Sequence, residues 1–346
     1  DEYADAEGYF RIVIGDTLNN KYRLVSTLGK GVFSVVAKAV DVDDDQRHVA
    51  VKMVRKNDTM YKAGLKEVAL LRRLNERDPQ DKKHLVRMWE TFEFRGHLCM
   101  VFESLSMNLR DTLKKYGSGV GLNLHAVRLY AHQLLLALSH LRKCNVIHAD
   151  LKPDNILVND AKTHIKLCDL GSASDASEND ITPYLVSRFY RAPEVILGLP
   201  YDFAIDMWSL ACTLFELATG AILFPGRTNN HMLKLIMDAK GGMPHKLIRR
   251  SMFGARYFDA RWAFMAVEPD RVTGKEVTRQ VQYKPGAGGA ARGKGIRDRM
   301  MVGVVDKEEG KRMAQLADLV ERMTHLNPEK RIGPSEALRH GFITGS

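Results

Sequence analysis

The chain has 346 residues, 45% of them hydrophobic and 27% charged, and its 52 basic and 42 acidic side chains leave a formal charge of +10. That length and apolar content are ample for a buried core divided over two lobes. The most apolar stretch, around Leu129–Leu141, is interrupted by His132, Gln133 and His140, which makes it too short and too polar to span a bilayer and excludes an expected membrane partner.

In chain order, residues 1–21 read as an N-terminal extension. The sequence opens at Asp1 with no initiator Met and no basic-then-apolar leader, so it reads as a piece of a longer protein with no signal peptide. Residues 22–55 alternate apolar and polar around a glycine turn at Gly29–Gly31. That period predicts three antiparallel strands, Tyr22–Leu28, Val35–Ala39 and Val49–Val54. From 60 to 75 the spacing is helical, with Leu65, Val68, Leu71 and Leu74 on one face, and Leu85–Phe94 and Leu98–Glu103 read as two more strands. Beyond Leu105 helices take over. Val127, Ala131, Leu134, Leu138 and Leu141 line a long core helix. Asp206–Leu217 forms another, closed by Gly220, and Met313–Phe342 is helical again apart from a break at Asn327-Pro328. Residues 284–296, rich in Gly and Ala, lack apolar periodicity and read as a mobile loop. The expected fold is α+β: a small antiparallel-sheet lobe with one main helix (22–104), then a larger, mostly helical lobe (105–346).

The four cysteines, Cys99, Cys144, Cys168 and Cys212, have no metal or redox spacing and point to a reducing intracellular compartment. A pI near 9.3 favours acidic partners. No basic run is interleaved with aromatics, so direct nucleic-acid binding is not expected.

Five motifs carry chemistry. Gly29-Lys30-Gly31 sits on a strand turn, where missing side chains let backbone N–H groups approach a phosphate. Alone, this pattern is equally an ordinary hairpin, and Ser34 stands where a third glycine would complete it. Lys52, inside the apolar strand Val49-Ala50-Val51, is costly to bury without a partner. Glu67 on the following helix can supply one, although a lysine snorkelling at a strand edge gives the same local pattern. The strongest signal is His148-Ala149-Asp150-Leu151-Lys152-Pro153-Asp154-Asn155. Asp150 can orient a hydroxyl and accept its proton, Lys152 can neutralise a migrating phosphoryl group, and Asn155 can offer an oxygen to Mg²⁺. Asp169-Leu170-Gly171 adds a second metal donor at Asp169, and Ala192-Pro193-Glu194 closes the segment.

Together these motifs resemble the protein-kinase signature set over about Tyr22–Phe342. The resemblance implies the bilobal kinase fold, ATP and Mg²⁺ as cofactors, and Ser/Thr residues of proteins as acceptors. It makes Phe102 the gatekeeper, Glu103–Leu105 the hinge that bonds adenine, and Val36, Ala50 and Leu157 the walls around the ring, with Asn108 nearby. It has Asp206 brace the catalytic loop and Arg331 pair with Glu194. Ser187-Arg188-Phe189-Tyr190-Arg191-Ala192-Pro193-Glu194 is similar to the CMGC group, especially its dual-specificity tyrosine-regulated branch, which implies a group insert around 226–312. Leu105–Arg110, Gly171–Ser174, Asn179–Val186 and Thr228–Leu235 further resemble the pre-mRNA-processing factor four kinase family. That family implies splicing factors and the spliceosome as partners, a nuclear location and a monomeric catalytic domain. By the same resemblance Tyr184 is a self-phosphorylation site whose phosphate would dock on Arg188 and Arg191, because Ala149 replaces the arginine most kinases use there. Arg188 would also favour Pro after the acceptor. Two other classes stay open at this point: a pseudokinase scaffold, normally marked by loss of Lys52, Asp150 or Asp169, and a basic RNA-associated module.

Overall fold

The computed structural model of the protein describes residues 3–44, 46–178, 181–182, 184–270, 273–284 and 295–345. The first lobe is an antiparallel sheet of β1 (Thr17–Leu18), β2 (Tyr22–Lys30), β3 (Ser34–Asp41), β4 (Arg47–Val54), β5 (Met88–Phe94) and β6 (His97–Glu103), in the order β1-β2-β3-β4-β6-β5. Side chains alternate across a strand. In β4 this sends Val49, Val51 and Met53 into a fully buried cluster with Leu24, Ala37 and Val101, each contributing about 1.5–3 kcal/mol of burial. Ala50 and Lys52 point to the opposite face, which borders the second lobe. Pairing extends the register: Val36 lies opposite Lys52, and Ala50 opposite Phe102.

Two features of this lobe escape periodicity. Tyr9 and Phe10, within the stretch read as an extension, are buried in the same cluster, and β1 adds a sixth strand. A two-residue strand is too short to show a period. The expected strand Leu85–Phe94 begins only at Met88; Leu85 makes an isolated parallel bridge to Leu167 and ties the two lobes together.

Helix α1 (Asp58–Glu76) starts where the Asn57 side chain accepts hydrogen bonds from the Thr59 and Met60 amides. Its buried stripe is Gly64, Glu67, Val68, Leu70, Leu71 and Leu74. Leu65, expected on that face, is exposed. At 100° per residue it falls about 60° past Val68, at the far edge of the stripe. Gly64 takes the contact instead, because a Cβ there would come within 2.9 Å of Leu98 and 3.2 Å of Val54.

The second lobe begins with β7 (Met107–Asn108), α2 (Leu109–Tyr116) and α3 (Leu124–Lys143), followed by β8 (Val146–Ile147), β9 (Ile156–Val158), β10 (Ile165–Leu167) and β11 (Ser174–Asp175). Next come α4 (Pro193–Leu197) and α5 (Ala204–Thr219). Helix α5 is buried continuously from Ile205 to Ala218, as a helix apolar all round must be. Gly220, at φ +74°, ends it. Within the expected insert lie α6 (Asn229–Lys240), α7 (His245–Arg250), the hairpin β12 (Phe264–Pro269) and β13 (Glu276–Val281), and α8 (Ile296–Met300). The helix α9 (Lys307–Met323) begins there and continues beyond it. Of the loop expected at 284–296, residues 285–294 lie outside the described residues. Its last residue is not loop: Ile296 opens α8 and is fully buried. No helix among the described residues is long and apolar enough to cross a membrane.

Candidate active site

The lobes meet around Lys52. Its ammonium donates to both Glu67 oxygens at 2.7 and 2.8 Å and reaches Asp169 Oδ1 at 3.3 Å. Strand β4 delivers the lysine, α1 the glutamate, and the turn after β10 the aspartate, so three separate elements fix one charge cluster. Burial alone would lower the Lys52 pKa; the charges of Glu67 and Asp169 outweigh it and the net shift is upward. For Asp169, burial pushes upward, but Lys52 and then His148 hold the carboxyl below its ordinary value. Both groups are therefore charged at neutral pH. The Asp169 contribution is present above the unfolded value and lost as pH falls through the lowered one. The Lys52 contribution is present below the unfolded value and lost as pH rises through the raised one. Asp169 adopts φ +60°, a costly backbone for a residue other than Gly. A Cβ on Gly171 would crowd Asp169 Oδ1 at 3.1 Å, so glycine there keeps the carboxylate free to face the cleft.

The loop after β8 is held from below. The buried Asp206 carboxylate accepts the amides of His148 at 2.8 Å and Ala149 at 3.0 Å. Burial raises its pKa; the nearby His148 and those two amides oppose the rise. Ala149, at φ +62°, turns the chain so that Asp150 faces the cleft. Lys152 Nζ lies 2.8 Å from Asp150 Oδ2. Asn155 donates its amide to the Asp150 carbonyl at 2.8 Å and to Asp150 Oδ2 at 3.1 Å, which leaves its carboxamide oxygen as a ligating atom. Asn155 Oδ1 and the half-exposed Asp169 carboxylate are two hard oxygen donors. This set suits Mg²⁺, which takes one or two protein carboxylates and completes its shell with phosphate and water. No group of three His, Cys, Asp or Glu suited to an all-protein metal cage occurs among the described residues.

Ser187 was missed in the sequence. Its hydroxyl donates to Asp150 Oδ1 at 2.7 Å and accepts from Lys152 Nζ at 2.8 Å, so it occupies the ground between the two. It opens the Ser187–Glu194 motif, but its neighbouring arginines gave the stronger signal. A second network also went unread. Arg110 donates to Tyr190 Oη at 2.6 Å, to Asp154 at 3.1 Å and to the buried Glu216, and Tyr190 donates to Glu216 at 2.6 Å.

Around the expected adenine position, Val36, Ala50 and Leu157 are half-buried and Phe102 is buried. Asn108 and Leu157 are register partners between β7 and β9. The Glu103 side chain turns away from this wall to Lys166 at 2.6 Å and the Arg87 amide at 2.8 Å; its own amide donates to Arg87. Leu105 follows on the connection between lobes and is half-buried. At the turn, a Cβ added to Gly29 would meet nothing within 4 Å and one on Gly31 only a carbonyl at 3.9 Å. Internal packing does not require these glycines, and the space in front of them is open. The Lys30 side chain leaves that space: it pairs with Asp5 at 3.3 Å and lies 3.9 Å over the Tyr9 ring.

On the activation segment, Tyr184 is 76% exposed. The buried Arg191 donates to the carbonyls of Tyr184, Leu185 and Val186 and to Asn229, and Arg188 donates to the Arg227 carbonyl. Burial, then the neighbouring Arg188, brings Arg191 down to about 10. Among the described residues, no carboxylate lies at ion-pair distance from either cation. At its far end the segment is fixed by Arg331, which meets both Glu194 oxygens at 2.6 and 2.9 Å.

A protein kinase domain model matches residues 22–343. Serine/threonine-protein kinase prp4 of Schizosaccharomyces pombe is 50% identical over 99% of this chain, and serine/threonine-protein kinase prpf4B of Dictyostelium discoideum 43% over 99%. Dual specificity tyrosine-phosphorylation-regulated kinase 2 of Drosophila melanogaster is 34% identical over 99%. The chain spans 71% of the first relative's length, 42% of the second's and 44% of the third's. With that match and those identities over nearly its whole length, the chain belongs to the protein kinase family, as a serine/threonine-protein kinase of the prp4 and prpf4B kind.

Proposed function

We propose that this kinase transfers the γ-phosphoryl group of ATP to Ser and Thr residues of pre-mRNA splicing factors in the nucleus. The observation that carries the chemistry is the convergence of Lys52, Glu67 and Asp169 on one cleft with Asp150 and Asn155. Lys52 holds the α and β phosphates, and its ion pair with Glu67 fixes where the ammonium sits. Asp169 and Asn155 would hold Mg²⁺, which would supply positive charge to offset that of the phosphates. Asp150 orients the acceptor hydroxyl and takes its proton; Lys152 balances charge on the moving group. Ser187 fixes the Asp150 rotamer until a substrate hydroxyl arrives. Lys52, Asp150 and Asp169, whose loss would mark a scaffold, are all retained, which favours the active enzyme over a pseudokinase.

Regulation follows from the unbalanced cations. Phosphorylation of Tyr184 by the kinase itself adds about −1.5 to −2 charge beside Arg188 and Arg191, which stand in for the grip lost with Ala149. Arg188, exposed next to Ser187, selects Pro after the acceptor. One experiment reads all of this: incubation with labelled ATP, Mg²⁺ and a nuclear extract, then mapping of labelled sites. Labelled splicing factors at Ser/Thr-Pro sites, with phosphate on Tyr184 of the active kinase, are expected. Label confined to other proteins refutes the splicing assignment, and a fully active kinase with unmodified Tyr184 refutes the switch.

A further inference from the structure

The active site does not account for the chain's excess positive charge, and five cations gather instead on the insert within 246–261. Helix α7 buries Leu247 and Ile248 and exposes His245, Lys246, Arg249 and Arg250. The loop that follows adds the exposed Arg256 and Arg261. Among the described residues, Lys246, Arg249, Arg256 and Arg261 have no carboxylate at ion-pair distance, and Arg250 reaches only Glu329 at 3.7 Å. Asp259, in the same loop, is committed elsewhere, to the amides of Arg261 and Ala263 and to Gln280. Arg249 and Arg250 suit the last turn of a helix. Lys246 in the first turn does not, and it lies one turn from Arg250, a like-charge spacing that weakens a helix. Folding alone therefore gives no reason for this concentration.

Two of the cations, Arg249 and Arg256, are also held in place. Trp262 adopts φ +64°, a strained backbone for a large side chain. Its ring stacks on His245 at 5.5 Å and lies 5.9 Å from the Arg249 guanidinium. Arg256 sits 4.4 Å over Phe253. Met252, between Arg250 and Phe253 in sequence, is 64% exposed. The patch is joined to the activation segment: Phe253 donates its amide to the Leu197 carbonyl at 2.9 Å, and Met252 to Gly198 at 3.1 Å, just beyond Pro193-Glu194.

We propose that this surface, Lys246, Arg249, Arg250, Arg256 and Arg261 on α7 and the loop that follows it, docks an Asp/Glu-rich segment of the protein substrate remote from the acceptor residue. Guanidinium forks match carboxylates in pairs. A Trp already covered by His245 offers no open ring for a base to stack on, which favours an acidic peptide over single-stranded RNA. The docked segment raises the local concentration of the acceptor without touching the chemistry. This rests on the kinase reading of the cleft, which the first arm of the test checks separately.

Steady-state kinetics on the whole chain would compare a short acceptor peptide from a degenerate Ser/Thr library with the same peptide carrying a flexible linker and a run of glutamates. Phosphorylation of the plain peptide establishes the kinase. The acidic tail is expected to lower KM about tenfold with kcat unchanged, the gain fading with salt. In Arg249→Gln/Arg256→Gln/Arg261→Gln the gain should vanish while kcat and KM for the plain peptide stay as they were. No KM gain from the tail in the wild type, or an undiminished gain in the triple variant, overturns the proposal. So does RNA binding that the triple variant loses while the tail has no effect.

Discussion

Asp169→Asn should lower phosphoryl transfer about a thousandfold or more, with the fold intact. Asparagine keeps the shape of the side chain but removes the charge that Lys52 meets at 3.3 Å and one of two hard oxygens facing the cleft. The lysine keeps both bonds to Glu67 within the first lobe, so the ammonium stays placed and the thermal midpoint should move little. The loss falls on the chemical step, because an amide oxygen is a weak substitute for a carboxylate toward Mg²⁺. Transfer within tenfold of wild type at saturating ATP would contradict the role given to Asp169.

Arg331→Met should destabilise the protein by about 3–5 kcal/mol, the usual cost of leaving one half of a buried ion pair uncompensated. Glu194 is almost fully buried and takes both its bonds from Arg331. That guanidinium also donates to the Ala204 carbonyl at 2.7 Å and to His325 at 3.0 Å. Ala204 opens α5, and α5 carries Asp206, which holds the two amides ahead of Asp150. A break at Arg331 is thus passed along one helix to the catalytic loop. Arg331 lies over the Trp208 ring at 5.2 Å, so tryptophan fluorescence in a denaturant titration reads the loss directly. Adding Glu194→Leu should recover part of it, because the orphaned charge goes too. A single variant as stable as wild type would show that the pair does not hold the segment.

Much of this site was legible because its parts are local in sequence. Asp150, Lys152 and Asn155 fall within one loop, and Lys52 stands out as a charge in an apolar strand. The Lys52–Glu67 pair was readable because the glycine turn, the lysine and a glutamate on the following helix occur in that order. What could not be read depends on contacts between distant segments. Ser187 meets Asp150 across 37 residues and Arg110 meets Glu216 across 106, and no period or spacing encodes either. Leu65 failed because one helical step separates a buried position from an exposed one. The insert was opaque for another reason: its hairpin and short helices carry too few residues to repeat a pattern, and Trp262 owes its place to an unusual backbone angle. Lys30 lies in the glycine turn, and its contact with Asp5 and Tyr9 joins segments too far apart for spacing to show.

The central claim is that Asp150 acts on the acceptor hydroxyl in a cleft that other residues shape for the nucleotide. The most direct measurement pairs nucleotide affinity with single-turnover transfer in Asp150→Asn. Affinity for Mg²⁺-ATP should match the wild type, because Lys52, Glu67, Asn155 and Asp169 remain, while transfer to a Ser peptide falls about 10²–10⁴-fold. Wild-type transfer in that variant, or a fall in affinity large enough to explain the whole loss, would contradict the account.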